Sequence, residues 1–360
     1  MTIMIEKIQT YLKDEQIDGA LLTSTENVTY TTGFRSNPHE RWLAVWIPAE
    51  GESILICPGM EVEDTKAAGW NGKVIGYSDT QKPLELLKAE VNHVSNLAVE
   101  KNHLTVDRLE LIQQVFGDCI ITAAEHFMND LRVIKTESEI KRLKKAAELA
   151  DFAIETACSE LEEGKTELEV LAKVEYELKK KGITEMSFST MVLTGENASS
   201  PHGTPGDSTI RKGDLVLFDL GVVYQGYCSD ITRTVAFGEI SDTQRDIYEA
   251  VLRAEMTALK MVKPGVMSSE LDLAARKVIE DAGYGDYFPH RLGHGLGLNV
   301  HEYPSITSES NIVLKAGMTF TIEPGIYVPG VAGVRIEDDV LVTEDGYETL
   351  TKFPKSLQTF

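Results

Sequence analysis

Cysteine is scarce and scattered. The four residues, Cys57, Cys119, Cys158 and Cys228, lie far apart and form no C-x-x-C pair. That spacing excludes a disulfide scaffold and fits unpaired thiols in a reducing compartment. Positive charge is in deficit: 35 Lys+Arg stand against 57 Asp+Glu, for a net charge of −22. Such a chain lacks the basic footprint that phosphate contact needs, so neither nucleic acid nor an anionic membrane is an expected partner. No apolar run is long enough to span a bilayer. Met1 to Gln16 mixes Lys and Glu with apolar residues where a signal peptide would be continuously apolar. The expected location is the cytoplasm. What remains, 42% hydrophobic and 26% charged over 360 residues, describes a globular chain of two domains or one large one.

Two regions differ in pattern. The first, 1–131, alternates amphipathic and short apolar segments: Glu6–Asp14, Ala20–Leu22, Trp42–Ile47, Ser53–Cys57, Val62–Ala68, Leu84–Val91 and Val106–Val115. This predicts an α/β domain. The second, 132–360, opens with long charged helices. Thr136-x-x-Glu139, Thr166-x-x-Glu169 and Ser241-x-x-Gln244 read as capping boxes, and a fourth helix is expected from Ser268 or Ser269. Gly164 and Gly182 are 18 residues apart, as are Gly265 and Gly283. Each helix pair precedes strand-like segments. The spacing predicts an internal repeat with an offset of about 101 residues, and a site where the halves meet.

Asp219 stands in the apolar run Leu215–Val223. A lone buried carboxylate is expensive unless paired or metal-bound. If the chain turns around Tyr224-Gln225-Gly226 with a loop of about two residues, Asp219 and Asp230 fall opposite each other, with Cβ atoms roughly 4.5–5.5 Å apart. They then repel unless a cation lies between them or one is protonated. Arg233, the nearest cation, points to the other face. His294 is flanked by glycines, with His301 seven residues on. Glu323 ends the run Met318–Ile322, and Glu337 follows Val334-Arg335-Ile336. Four carboxylates and one imidazole suit two divalent ions, Mn first, with Co, Zn or Fe as alternatives. Two such ions can share and activate a water. His202, in a Gly/Pro-rich loop, reads alone as a surface residue.

The segments Leu217–Gly221, Ser229–Thr234, Gly293–Gly297, Thr321–Gly325 and Arg335–Asp338 resemble the five metal-ligand motifs of the pita-bread metallopeptidases. That family includes methionine aminopeptidase, aminopeptidase P and prolidase. The resemblance implies an α+β fold: a C-terminal pita-bread domain with a pseudo-two-fold repeat, preceded by a smaller creatinase-like α/β domain. It implies that Asp219 binds one metal, that Asp230 and Glu337 bridge both, and that His294 and Glu323 complete the shells. Glu323 would also move the proton of a metal-bridging hydroxide. His202 and His301 match histidines that stabilise the tetrahedral intermediate and help bind substrate, and Arg335 matches an arginine near the site. The segments Tyr30–Phe34, Ala282–Phe288, His290–Gly295 and Val300–Ile306 are most similar to bacterial prolidases, the Xaa-Pro dipeptidases.

A dipeptidase must also hold the proline carboxylate. Arg291 or Arg335, with His202, are the candidate anchors, because a guanidinium binds a carboxylate bidentately. The charged loop Arg35–Arg41 is expected to limit substrate length. The resemblance further implies a homodimer, with His39, Glu40 and Arg41 reaching a neighbouring subunit. Three rivals stand beside the dipeptidase: aminopeptidase P acting on longer peptides, a non-catalytic binding module, and, more remotely, a di-metal nuclease or phosphatase.

Overall fold

The computed structural model describes residues 2–360. Two compact units separate at residue 131, Met1–Leu131 and Arg132–Phe360. The first contains α1 (Thr2–Asp14), β1 (Gly19–Leu22), α2 (Thr25–Thr32), β2 (Ala44–Pro48), β3 (Ile54–Pro58), α3 (Val62–Ala67), β4 (Lys73–Tyr77), α4 (Pro83–Lys88), β5 (Asn96–Val99), α5 (Val106–Phe116), β6 (Ile120–Ala123) and α6 (Glu125–Val133), the last crossing the boundary. The six strands form one sheet, β4-β3-β2-β1-β5-β6. Neighbouring residues of a strand face opposite sides. Val45 and Leu55 accordingly join Ile8, Leu12 and Phe127 in one core, while Trp46 and Ile56 join Leu87 and Ile112 in the other. Apolar faces on both sides are what an α/β layer needs.

The second unit begins with α7 (Glu137–Ser159) and α8 (Glu167–Lys180), then β7 (Met191–Thr194), β8 (Asp214–Leu220), β9 (Val223–Tyr224), β10 (Tyr227–Cys228) and β11 (Ile231–Phe237). Next come α9 (Asp242–Met261), α10 (Ser268–Asp281), β12 (Gly293–Gly295), β13 (Glu302–Ile306), β14 (Thr319–Ile322), β15 (Gly325–Val328), β16 (Ala332–Arg335), β17 (Asp338–Val342) and β18 (Tyr347–Thr349). Capping boxes start α7, α8 and α9 at Thr136, Thr166 and Ser241. Thr166→Ala removes an acceptor for the Glu169 amide and is expected to cost about 1 kcal/mol, read as a lower urea midpoint at unchanged m-value.

The repeat is visible in matched backbone bonds. Gly164 donates to Ile210 O and Gly265 to Leu314 O, both at 2.9 Å. Ile210 then donates to Lys165 O, and Leu314 to Val266 O. Each helix pair packs on its own sheet, β11-β8-β7 in one half and β13-β12-β14-β17-β18 in the other. An isolated bridge between Thr232 and Glu337 joins the halves. No helix among the described residues is long and apolar enough to cross a membrane.

Candidate metal centre

The first half contributes a hairpin. Gln225 and Gly226 form its two-residue turn, both with positive φ (48° and 85°). Positive φ at both central positions defines the type I′ turn, whose twist suits paired strands. This places the turn one residue later than the sequence suggests and moves the register by two. Thr232, not Asp230, therefore stands opposite Asp219. Asp230 is two residues along on the same face, a diagonal neighbour. The Thr232 hydroxyl donates to Glu337 Oε2 at 2.6 Å, and the Glu337 amide donates to Thr232 O at 3.1 Å. Arg233 faces the other way, toward Asp338.

The second half contributes the rest. At Gly293 a Cβ would overlap the Thr321 carbonyl, so only glycine lets β12 lie this close to β14. The closeness lets His294 N–H donate to Thr321 Oγ1 at 3.2 Å. His294 Nδ1 lies 3.2 Å from Gly295 O, which favours the tautomer that leaves Nε2 as a bare lone pair. Nε2 is 3.3 Å from Glu323 Oε1 and 3.7 Å from Asp230 Oδ2. Burial, and then His301, lower the His294 pKa to about 3, so the imidazole is neutral, as a ligand must be.

All nine residues singled out from the sequence line one cavity of about 390 Å³: Asp219, Asp230, His294, Glu323, Glu337, His202, His301, Arg291 and Arg335. Ligand atoms of Asp230, His294 and Glu337 lie within 4.8 Å of one another. One oxygen each of Asp219, Asp230 and Glu337 is buried with no hydrogen-bond partner. Burial and mutual repulsion raise Asp230 and Glu337 well above the usual carboxylate range, and burial brings Glu323 up to about 7. Orphaned, crowded carboxylate oxygens beside a neutral imidazole fit hard or borderline divalent cations.

The arginines differ in what they have left to offer. Arg335 donates from Nη2 to Asp219, from Nε to Thr232 Oγ1 at 3.0 Å and from Nη1 to Tyr327 Oη at 2.6 Å. Each of its three nitrogens has a partner in the protein, and the side chain also lines the cavity. Arg291 donates from Nη1 to Ser305 Oγ at 3.2 Å and faces the cavity. The sequence does not single out Tyr327, or His290 as a site residue. Yet His290 lines the cavity, and its Nε2 lies 3.0 Å from Tyr327 Oη, which in turn meets Arg335. Phe188, Met191, Pro201 and Val300 supply its apolar wall. Only tertiary contact brings these residues together. The one local signal was Pro289-His290-Arg291, a histidine beside a candidate anchor.

Comparison with known proteins follows the same lines. The sequence matches Metallopeptidase family M24 over residues 141–344 and the Creatinase/Prolidase N-terminal domain over residues 4–134. It is 51% identical over 357 residues to the putative dipeptidase YkvY of Bacillus subtilis (strain 168), covering 98% of each chain. The crystal structure of the prolidase from Pyrococcus horikoshii OT3 superposes with a TM-score of 0.92 at 38% identity, over 98% of this chain and 99% of that one. The Xaa-Pro dipeptidase from Bacillus anthracis gives a TM-score of 0.92 at 36% identity, over 99% of both chains. The two-part fold is the one expected from the sequence. The chain belongs to metallopeptidase family M24, with a creatinase/prolidase N-terminal domain ahead of a pita-bread peptidase domain.

Proposed function

We propose that the protein is an Xaa-Pro dipeptidase, with residues 1–131 as its accessory domain and 132–360 as its catalytic domain. The observation that carries this reading is the convergence of Asp219, Asp230, His294, Glu323 and Glu337 on one cavity, with three carboxylate oxygens unpartnered. Those five side chains would hold two divalent ions, Mn the first choice and Co, Zn or Fe the others. When bound, the ions would lower the pKa of a shared water and polarise the scissile carbonyl.

The chain's own residues do the remainder. Glu323 takes a proton from the attacking water and delivers it toward the prolyl nitrogen. His301 and His202 line the cavity and supply donors to the developing oxyanion. An Xaa-Pro bond has no N–H, so recognition must come from its ends. Arg291 or Arg335, with His202, anchors the proline carboxylate, and Arg291 is the one tested below. Four cysteines widely spaced along the chain support a cytoplasmic location. The reading includes a homodimer, with the loop Arg35–Arg41 limiting substrate length from a neighbouring subunit; light scattering tests the dimer.

The test is hydrolysis by metal-stripped, Mn-reconstituted protein of Leu-Pro against Leu-Pro-Ala. Cleavage of the dipeptide alone supports the reading. Preference for the tripeptide moves the assignment to aminopeptidase P, and bound metal without cleavage of either leaves a binding module. Arg291→Met is expected to raise KM for Leu-Pro about tenfold or more while changing KM for its C-terminal amide little. Equal effects on both substrates would remove Arg291 as the anchor.

A further inference from the structure

We infer that Glu302 is a positioning residue for His301, acting through a buried ionic clamp with Lys135 and Arg132; this deepens the peptidase reading and rests on it. Glu302 opens β13 directly after His301. Its Oε1 accepts from Lys135 Nζ at 2.8 Å, and its Oε2 accepts from Arg132 Nη2. The three side chains are 9%, 1% and 13% exposed.

Both ends of the clamp are fastened. Lys135 N–H donates to Gly317 O at 2.8 Å, and Ile134 bridges to Met318, immediately before β14 and the strand that leads to Glu323. At the other end, the chain from Gly297 to His301 folds over the carboxylate. Asn299 N–H reaches Glu302 Oε2 at 3.4 Å, and a Cβ on Gly297 would run into the same carboxylate. Gly297 O in turn accepts from Cys228 N–H at 2.8 Å, two residues before Asp230. The loop ends with the His301 ring 4.0 Å, centroid to centroid, from the His294 ring.

A buried ion pair is a poor source of stability, because desolvation offsets the attraction. Two cations on one carboxylate make geometry the better account of its presence. Burial alone would raise the Glu302 pKa, yet Lys135 and Arg132 hold it below the usual glutamate value, so the clamp stays charged. One anion thus sets the path of the loop that presents His301 to the cavity. A displacement of about 1 Å at a reacting group costs up to about a hundredfold in rate.

The experiment compares Glu302→Gln, Lys135→Met and the double variant with the wild type, all Mn-reconstituted. The readouts are metal content, kcat and KM on Leu-Pro, and amide hydrogen exchange over residues 297–302. Glu302→Gln is expected to keep its metal and its fold, to hold KM within about threefold, and to lose about tenfold to a hundredfold in kcat. Exchange over 297–302 quickens while β14 and β17 stay protected. Lys135→Met moves the same way, and the double variant is no worse than Glu302→Gln alone. Unchanged kcat in folded, metal-replete Glu302→Gln overturns the inference, as does a loss that merely tracks missing metal or missing fold. If Glu302→Gln does not fold, Lys135→Met and Arg132→Met decide by the same split. If the wild type cleaves no Xaa-Pro peptide, the functional reading fails. The exchange comparison then decides the clamp by itself, and unchanged exchange overturns it.

Discussion

Asp230→Asn is expected to lower kcat/KM of the Mn-loaded protein by about a thousandfold and yet to stabilise the metal-stripped protein. Without cations, Asp230 is buried beside Glu337 and Asp219, and its Oδ1 has no partner. Neutralising it relieves repulsion and desolvation on the order of 1–3 kcal/mol. On the proposed reading the same oxygens would hold the cations, and the substitution weakens binding. Urea melts with and without Mn, alongside metal analysis, read both halves. A stripped variant less stable than the stripped wild type would mean that the acids are not under strain. The wild type carries a related pH signature. Glu323 titrates near 7 when folded, against an ordinary 4.5. Between those values the folded state holds a proton that the unfolded chain has released. Stability of the stripped protein contributed by Glu323 therefore falls as pH rises through this window. Asp230 and Glu337, raised by burial and neighbouring carboxylates, act in the same direction. On the proposed reading bound metal would replace those protons, so the gap in stability between Mn-loaded and stripped protein should widen as pH rises from 5 to 7.

Arg233→Met is the largest stability loss expected, about 3–5 kcal/mol. Arg233 is 1% exposed. It donates to Thr232 O, Glu337 O, Phe353 O and Asp338 Oδ1, at 2.9, 2.5, 2.7 and 2.7 Å. Asp338 is also buried and accepts from Thr351 Oγ1 and Lys355 Nζ. Burial alone would raise Asp338, but Arg233 and Lys355 hold its carboxyl below the usual range. Methionine keeps much of the volume and removes every donor, leaving three carbonyls and a carboxylate short of partners. Adding Asp338→Asn should recover part of the loss, because the two side chains are coupled. A loss under about 1 kcal/mol, or strict additivity, would show that the cluster carries little. Because Thr232 and Glu337 belong to the centre itself, Mn affinity should fall with stability.

What was legible in the sequence depended on how local its cause is. Thr136, Thr166 and Ser241 mark helix starts because each cap closes within four residues. At α10 that logic fails. Met267 is the cap, while the Ser268 hydroxyl bonds Ser310 and its amide bonds Ile312 O. A neighbouring loop does there what a side chain does elsewhere. In the first unit β4, β5 and β6 are only five, four and four residues long, too short for a strand period to show in the sequence. Asp219 and Glu337 stood out because a charged group interrupts an apolar strand, whereas His202, His301 and Arg335 were named only through the family resemblance. The strand register could not be read, since a one-residue difference in the turn at Gln225-Gly226 displaces every pairing behind it. Arg335 illustrates the same limit: its type suggested a substrate anchor, and its partners Asp219 and Tyr327 are matters of tertiary contact.

The bridge between Thr232 and Glu337 also orders events during synthesis. A chain translated as far as Pro324 already contains Asp219, Asp230, His294 and Glu323, but not Arg335, Glu337 or β17. Holding the earlier side chains together without those partners means closing long loops against chain entropy. Asp230, His294 and Glu337, whose ligand atoms lie within 4.8 Å of one another, come together only once the last strands arrive and pair across the seam. On the proposed reading a half-made chain lacks Glu337, and peptide cleavage waits until that residue is in place.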